Sequence, residues 1–286
     1  MRSSGVRVHR VGAAIVAVFA TVVTGGMGGA ASALDINGFT RAKGKGDVAF
    51  SFTSESYDEF WVGRTKVTDP GLGEVETRSL SVWLAYGLND RLTLIANLPW
   101  VRAEGDGSAG FEEKDLQDLS LLGQFVLASG GSGARHALVG AVGFRIPASG
   151  YEANTPVDIG DGSDDWLFRL VYQLRHRGFY LSQQIGVDLR SGDTPDGFPL
   201  YTEIGATWGK VTLTAFYQRL ESEEGTDIGD PGFTFPSNQD EFERTGAKVY
   251  WRLHDRIGVA LAGWNTLGGR NTGDSTGASF GFNFGF

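Results

Sequence analysis

Residues 79–101 read Ser79-Leu-Ser-Val-Trp-Leu-Ala-Tyr-Gly-Leu-Asn-Asp90-Arg-Leu-Thr-Leu-Ile-Ala-Asn-Leu-Pro-Trp100-Val101. In an extended chain successive side chains point to opposite sides. Leu80, Val82, Leu84, Tyr86 and Leu88 then share one face, and Ser79, Ser81, Trp83 and Ala85 the other. Asn89-Asp90 makes a turn, and the alternation resumes with Leu92, Leu94, Ala96, Leu98 and Trp100 against Thr93, Ile95, Asn97, Pro99 and Val101. The stretch is a hairpin of two long strands with one strongly apolar face.

The same period runs outward in both directions. Leu119 to Leu127, His136 to Ile146, Trp166 to Leu174 and Phe179 to Leu189 alternate in turn, with Gln183 as a polar intrusion on the apolar face. So do Leu200 to Trp208, Val211 to Tyr217, Arg244 to Leu253, Ile257 to Gly263 and Ala278 to Phe286. A weaker first strand lies around Asp47 to Tyr57, with Val48, Phe50 and Phe52 opposing Ser51, Thr53 and Glu55. The pattern predicts twelve strands of about 10 to 13 residues and no convincing amphipathic helix.

Connector lengths alternate as well. Links near 88–91, 129–134, 176–178, 209–210 and 254–256 are short, and those near 63–74, 103–114, 148–164, 191–198, 221–240 and 267–274 are longer. A membrane barrel of the outer-membrane type has this asymmetry, with short periplasmic turns, longer extracellular loops and an even strand number. A soluble sandwich has no reason for it. Trp100, Trp166, Trp208 and Trp251, with Tyr86, Tyr172 and Tyr217, fall near strand ends, as interfacial girdles do. Eleven residues rising 3.3 Å each at a tilt near 40° climb roughly 27 Å, enough for an apolar band of about 25 Å. Twelve strands about 4.8 Å apart close at a backbone radius of roughly 12 Å.

Composition agrees. The chain has 286 residues, 43 of them glycine, no cysteine, and 25 basic against 34 acidic side chains. The acidic balance argues against nucleic acid, and the missing cysteine removes disulfides and thiolate chemistry. Arg2, Arg7 and Arg10 precede the apolar run Val11 to Val23, and Ala31-Ser-Ala33 offers a cleavage site. Residues 1–33 are therefore expected to be a secretory signal peptide and residues 34–286 the barrel. The run is too short for the roughly 20 residues of a spanning helix.

In such a barrel the apolar face meets lipid and the other face lines a lumen. Inward positions carry Arg145, Arg169, Arg175, Arg244, Lys248 and Arg252, together with Glu55, Asp118, Asp188 and Glu203. They would form either a selectivity lining or ion pairs that cross-link and plug the lumen. Tyr57, Trp83, Ile95, Phe216, Tyr250 and Trp264 add an aromatic and apolar patch, suited to an aromatic or fatty solute or simply space-filling. No plug domain is expected ahead of the first strand.

The longer loops are acidic. Residues 148–165 and 221–243 hold many carboxylates and no Lys or Arg in the loop proper, and Asp158 to Asp165 loosely resembles a calcium loop. Divalent cations shared with lipopolysaccharide are the favoured reading. Some barrels are lipid hydrolases, but His136, His176 and His254 all lie near short turns, and no G-x-S-x-G occurs. No enzyme activity, cofactor or metal is expected.

Tyr86 to Val101 also resembles a recurring hairpin of the MetA-pathway of phenol degradation family, whose members are outer-membrane transporters. That pattern has an aromatic-Gly-Leu strand end, an Asp-Arg turn, and a strand closing on Leu-Pro-aromatic-Val. A glycine-rich loop follows, here Gly105 to Gly110, and then a strand restart, here Asp115 to Gly123 with Gln117 where glycine is expected. The resemblance covers about 45 residues and implies uptake of aromatic or other hydrophobic compounds. Phe282, Phe284 and the final Phe286 resemble the signal read by the outer-membrane insertion machinery. The expected protein is a passive outer-membrane channel for small hydrophobic or aromatic solutes, embedded in lipid and lipopolysaccharide. The alternative is a barrel with an occluded lumen and a structural or surface role.

Overall fold

The computed structural model describes residues 34–286 except 69, 70, 108, 109, 154 and 156, so the expected signal peptide at 1–33 lies outside the described residues. The strands in chain order are β1 (Gly46–Tyr57), β2 (Glu59–Val62), β3 (Thr65–Thr68), β4 (Val75–Asn89) and β5 (Leu92–Gly105). Next come β6 (Glu112–Leu116), β7 (Asp118–Gly130), β8 (Arg135–Pro147), β9 (Asp165–His176) and β10 (Phe179–Arg190). The chain ends with β11 (Asp196–Trp208), β12 (Val211–Glu223), β13 (Glu241–His254), β14 (Ile257–Arg270) and β15 (Thr276–Gly285).

Twelve of these close an antiparallel barrel, each strand pairing with its sequence neighbours. Closure comes from β1, which places Phe50 opposite Val82 of β4 and opposite Phe282 of β15. Among the described residues the twelve wall strands each pair on both sides, which a bilayer requires because nothing there replaces a ladder hydrogen bond. The other three strands build the rim at the long-loop end. Strands β2 and β3 form a hairpin, and β6 continues the path of β7 along the upper half of β5. The break between them falls at Gln117, whose N–H donates to Pro99 O at 2.9 Å.

The barrel is inverted relative to a soluble sheet. Leu80, Ile204 and Leu261 are 56 %, 58 % and 57 % exposed on the outer wall, while Val139, Leu167 and Val171 are 0 % exposed inside. Such a belt is stable only against lipid. Aromatic side chains mark both of its borders. Tyr86 stacks on Phe286, with ring centroids 6.3 Å apart, and Phe179 meets Trp208 edge to face at the short-turn end. Trp100 and Trp166 lie toward the long-loop end. The polar intrusion at Gln183 is answered across the ladder, where its Oε1 accepts from Thr202 Oγ1 at 2.7 Å.

Candidate functional site: an occupied lumen

The expectation that no plug precedes the first strand is corrected by the structure. Of the residues that precede β1, 34–41 run inside the barrel, and 42–45 are exposed at the short-turn end. At the short-turn end Gly44 N–H donates to Gly87 O at 2.8 Å and Lys43 N–H to Asp90 Oδ1 at 3.1 Å. Higher up, Arg41 N–H reaches Thr93 Oγ1 at 2.8 Å, and its side chain pairs with Asp47. Deeper still, Gly38 N–H donates to Gln173 Oε1 at 2.9 Å, and Ile36 N–H to Gln184 Oε1 at 2.8 Å. Leu34 lies 3 % exposed near the middle, its carbonyl accepting from Arg169 Nε at 3.3 Å.

The segment alternates like a strand, and its two faces meet two different walls. Leu34 and Ile36 pack on an apolar wall made by Trp83, Ile95, Leu122, Val139, Leu167 and Val171, from β4, β5 and β7 to β9. Asp35 and Asn37 face a polar wall. Gln184 Nε2 and Gln218 Nε2 donate to the two Asp35 oxygens at 2.7 and 2.6 Å. Asn37 Nδ2 donates to Glu203 Oε1 at 2.9 Å, and Gln124 Nε2 to Asn37 O at 2.6 Å. Every wall partner is a non-covalent donor or acceptor, each bond contributing about 0.5–1.5 kcal/mol net.

The sequence-predicted lining residues all lie on inward positions, and most are tied in pairs. Arg145 Nε donates to Asp165 Oδ2 at 2.7 Å, with Asp118 4.0 Å from the same guanidinium. Arg169 pairs with Asp188, both side chains 0 % exposed. Lys248 Nζ lies 3.0 Å from Glu203 Oε2 and over the Tyr201 and Phe216 rings. Arg244 reaches Glu55 at 3.3 Å and stacks on Phe242 at 4.3 Å. Trp264 and Phe216 share an apolar cluster with Tyr201, and Tyr250 packs on Ala260. Trp83 belongs to the wall beneath Leu34 and Ile36. Arg175 and Arg252 stand apart at the short-turn rim, where Arg175 is exposed and Arg252 Nη2 donates to Gly209 O at 3.4 Å.

The long-loop end is closed by a different device. Val157 and Ile159, between β8 and β9, point inward, 2 % and 1 % exposed, against Tyr57, Phe60, Val75, Val101 and Ala103. Two carboxylates of the stretch that resembled a calcium loop are in ion pairs: Asp165 with Arg145, and Asp161 3.8 Å from Arg190. No metal-holding group of His, Asp or Glu occurs among the described residues. His136, His176 and His254 are at the short-turn ends of β8, β9 and β13.

What sequence reading missed is the partnership of residues 34–41 with the lumen wall. The signal available was the alternation Leu34-Asp-Ile-Asn37 ahead of Gly38, and four glutamines at inward positions 124, 173, 184 and 218. Gly38 is required by the close pass: a Cβ there would stand 2.4 Å from Gln173 Cβ.

With this geometry established, known structures supply a frame. An outer membrane channel from Pseudomonas putida F1 superposes with a TM-score of 0.73 at 14 % identity, covering 89 % of this chain and all of that one. The chain has the fold of an outer-membrane β-barrel. The β domain of the Bordetella autotransporter BrkA matches at TM-score 0.50 and 15 % identity, over 85 % of this chain and 100 % of that one. The translocator domain of the autotransporter NalP from Neisseria meningitidis matches at 0.50 and 11 %, over 85 % and 89 %. At these identities the likeness is one of fold. No family model matches the chain, and no curated relative does.

Proposed function

We propose that this barrel is a passive outer-membrane channel for small hydrophobic or aromatic compounds, with residues 34–41 as its removable constriction. The observation that carries the reading is the apolar wall under Leu34 and Ile36. A general aqueous pore has no use for Trp83, Ile95, Leu122, Val139, Leu167 and Val171 on its inner face, because a water-filled lumen favours polar lining. Withdrawal of the segment uncovers that wall, and water replaces its hydrogen bonds to the glutamines. An apolar solute then gains by burial on the surface that Leu34 and Ile36 had covered, at about 25 cal/mol per Å². The paired lumen charges, Arg145 with Asp165 and Arg169 with Asp188, tie β8, β9 and β10 together beside that wall and bias which solutes pass.

Support for a channel comes from the name of the Pseudomonas putida protein of the same fold, and support for aromatic cargo from the resemblance to the MetA-pathway of phenol degradation family. A second reading has its own observation. The lumen is filled from the middle by residues 34–41 and from above by Val157 and Ile159, as a structural barrel with no transport role would be.

Solute flux into liposomes separates the two. The full protein and a variant lacking residues 34–40 are compared for entry of a small phenol and of a sugar of similar size. Phenol entry that exceeds sugar entry, and rises in the shortened variant, supports the channel. Correctly folded protein with no flux in either form leaves the structural role.

A further inference from the structure

We propose that the short-turn mouth of the lumen holds a binding site for a small organic carboxylate. A cavity of about 330 Å³ opens there beside the N-terminal segment. That is the lower end of the range for small-molecule sites, room for a compound of roughly ten heavy atoms. Its wall includes Arg135 and Arg175, which face each other directly across the β8–β9 ladder. Like charges in that register repel and destabilise the pair unless an anion joins them. Among the described residues neither guanidinium has a carboxylate partner, although nearly every other lumen cation has one.

The other polar groups of the cavity narrow the ligand further. Gln173 also lines it and is 2 % exposed. Its Oε1 is fixed as acceptor of the Gly38 N–H at 2.9 Å, so its Nε2 is a donor, and that Nε2 finds no acceptor in the protein. A buried amide N–H without a partner is costly, and a ligand oxygen would satisfy it. Arg41 is engaged by Asp47, and Asp90, the carboxylate of the lining, accepts the Lys43 N–H on Oδ1 at 3.1 Å and has no ion-pair contact with either Arg135 or Arg175 among the described residues. The cavity thus presents free donors from Arg135, Arg175 and Gln173. Planar guanidiniums of this kind suit the two oxygens of a carboxylate.

The remaining wall suits an apolar body. Phe39 lies in the cavity with Arg175 5.6 Å over its ring, and Val126 and Ala137 line the other side. A carboxylate with a flat apolar body fits both halves, and benzoate is the simplest probe. The site is independent of passage: it lies at the mouth, formed jointly by the segment and the wall, and binding needs no flux.

The test is titration of the full protein, refolded in detergent micelles, with benzoate, the neutral isostere benzamide, and inorganic phosphate. Saturable 1:1 benzoate binding is expected, with benzamide and phosphate each weaker by about tenfold or more, the scale of one charge-assisted hydrogen bond. R135Q and R175Q should each lose about tenfold as well. Q173E, which keeps an acceptor for Gly38 and replaces the donor with a negative charge, should lose more. Folding of each variant is read from heat-modifiable gel migration. No saturable benzoate binding, benzamide binding equal to benzoate, phosphate binding equal to benzoate, or folded arginine variants that bind like the parent would each overturn the proposal.

Discussion

Gly38 and Gln173 are in such close apposition that a Cβ on the glycine would come within 2.4 Å of the Gln173 Cβ. The segment can therefore lie against β9 only because position 38 lacks a side chain. Substituting Gly38→Leu should expel residues 34–38 from the lumen and leave the twelve-strand wall intact, since none of the ladder bonds involves them. The expected result is several-fold higher phenol flux into liposomes with unchanged heat-modifiable migration. Unchanged flux in a folded variant would mean that the segment does not limit passage.

The Lys248–Glu203 pair is buried and also anchors Asn37 through Glu203. Removing one charge leaves the other uncompensated in a dry interior, at a cost of about 3–5 kcal/mol. Lys248→Met should show that loss in urea unfolding. The double variant with Glu203→Met should recover most of it, because a pair replaced by apolar groups of similar size is often neutral. A single variant as stable as the parent would place water in the site.

Leu261 faces lipid and is registered opposite Phe280 near the middle of the belt. Leu261→Arg should destabilise the folded barrel by about 2–4 kcal/mol, the cost of an arginine near the bilayer midplane. Thr214→Arg, on the inner face of the neighbouring wall, should cost less. Equal effects in refolding titrations in lipid vesicles would contradict the assignment of faces.

Asp227 in the β12–β13 loop receives Arg270 Nε and Nη2 at 2.6 and 3.0 Å and Asn271 Nδ2 at 2.9 Å. The Arg270 hydrogen bonds, then Asn271, hold its carboxyl below the usual carboxylate range. A depressed acid binds its proton less readily when folded, so its contribution is complete above the ordinary value near 4 and is lost as pH falls through the lowered one. A spin label at Thr234 should report an ordered loop near neutral pH and a looser one only well below about pH 4. Asp227→Asn should show the looser state at every pH. A label whose mobility ignores both pH and this variant would remove the loop-fastening role.

The alternation of Ser79 to Val101 and its repeats decided the twelve wall strands and their faces, though not the short rim strands β2, β3 and β6, because a period of two forces side-chain direction irrespective of what lies beyond the wall. Connector lengths marked a short-turn end and a long-loop end, and apolar phase decided that lipid lies outside. The ionic lining was legible as inward Arg and Glu positions, but its pairing was not. Arg244 meets Glu55, and Lys248 meets Glu203, across strands far apart in the chain. The occupied lumen was least legible. Leu34 to Asn37 offers only two alternations, too few to distinguish a strand from a tail, and its partners are glutamines more than eighty residues away. A sequence records which face a residue prefers locally. Whether a short amphipathic segment stays in solvent or docks is set by two complementary walls, apolar on one side and amide-rich on the other. Only the closed barrel brings those walls to within one chain's width of each other.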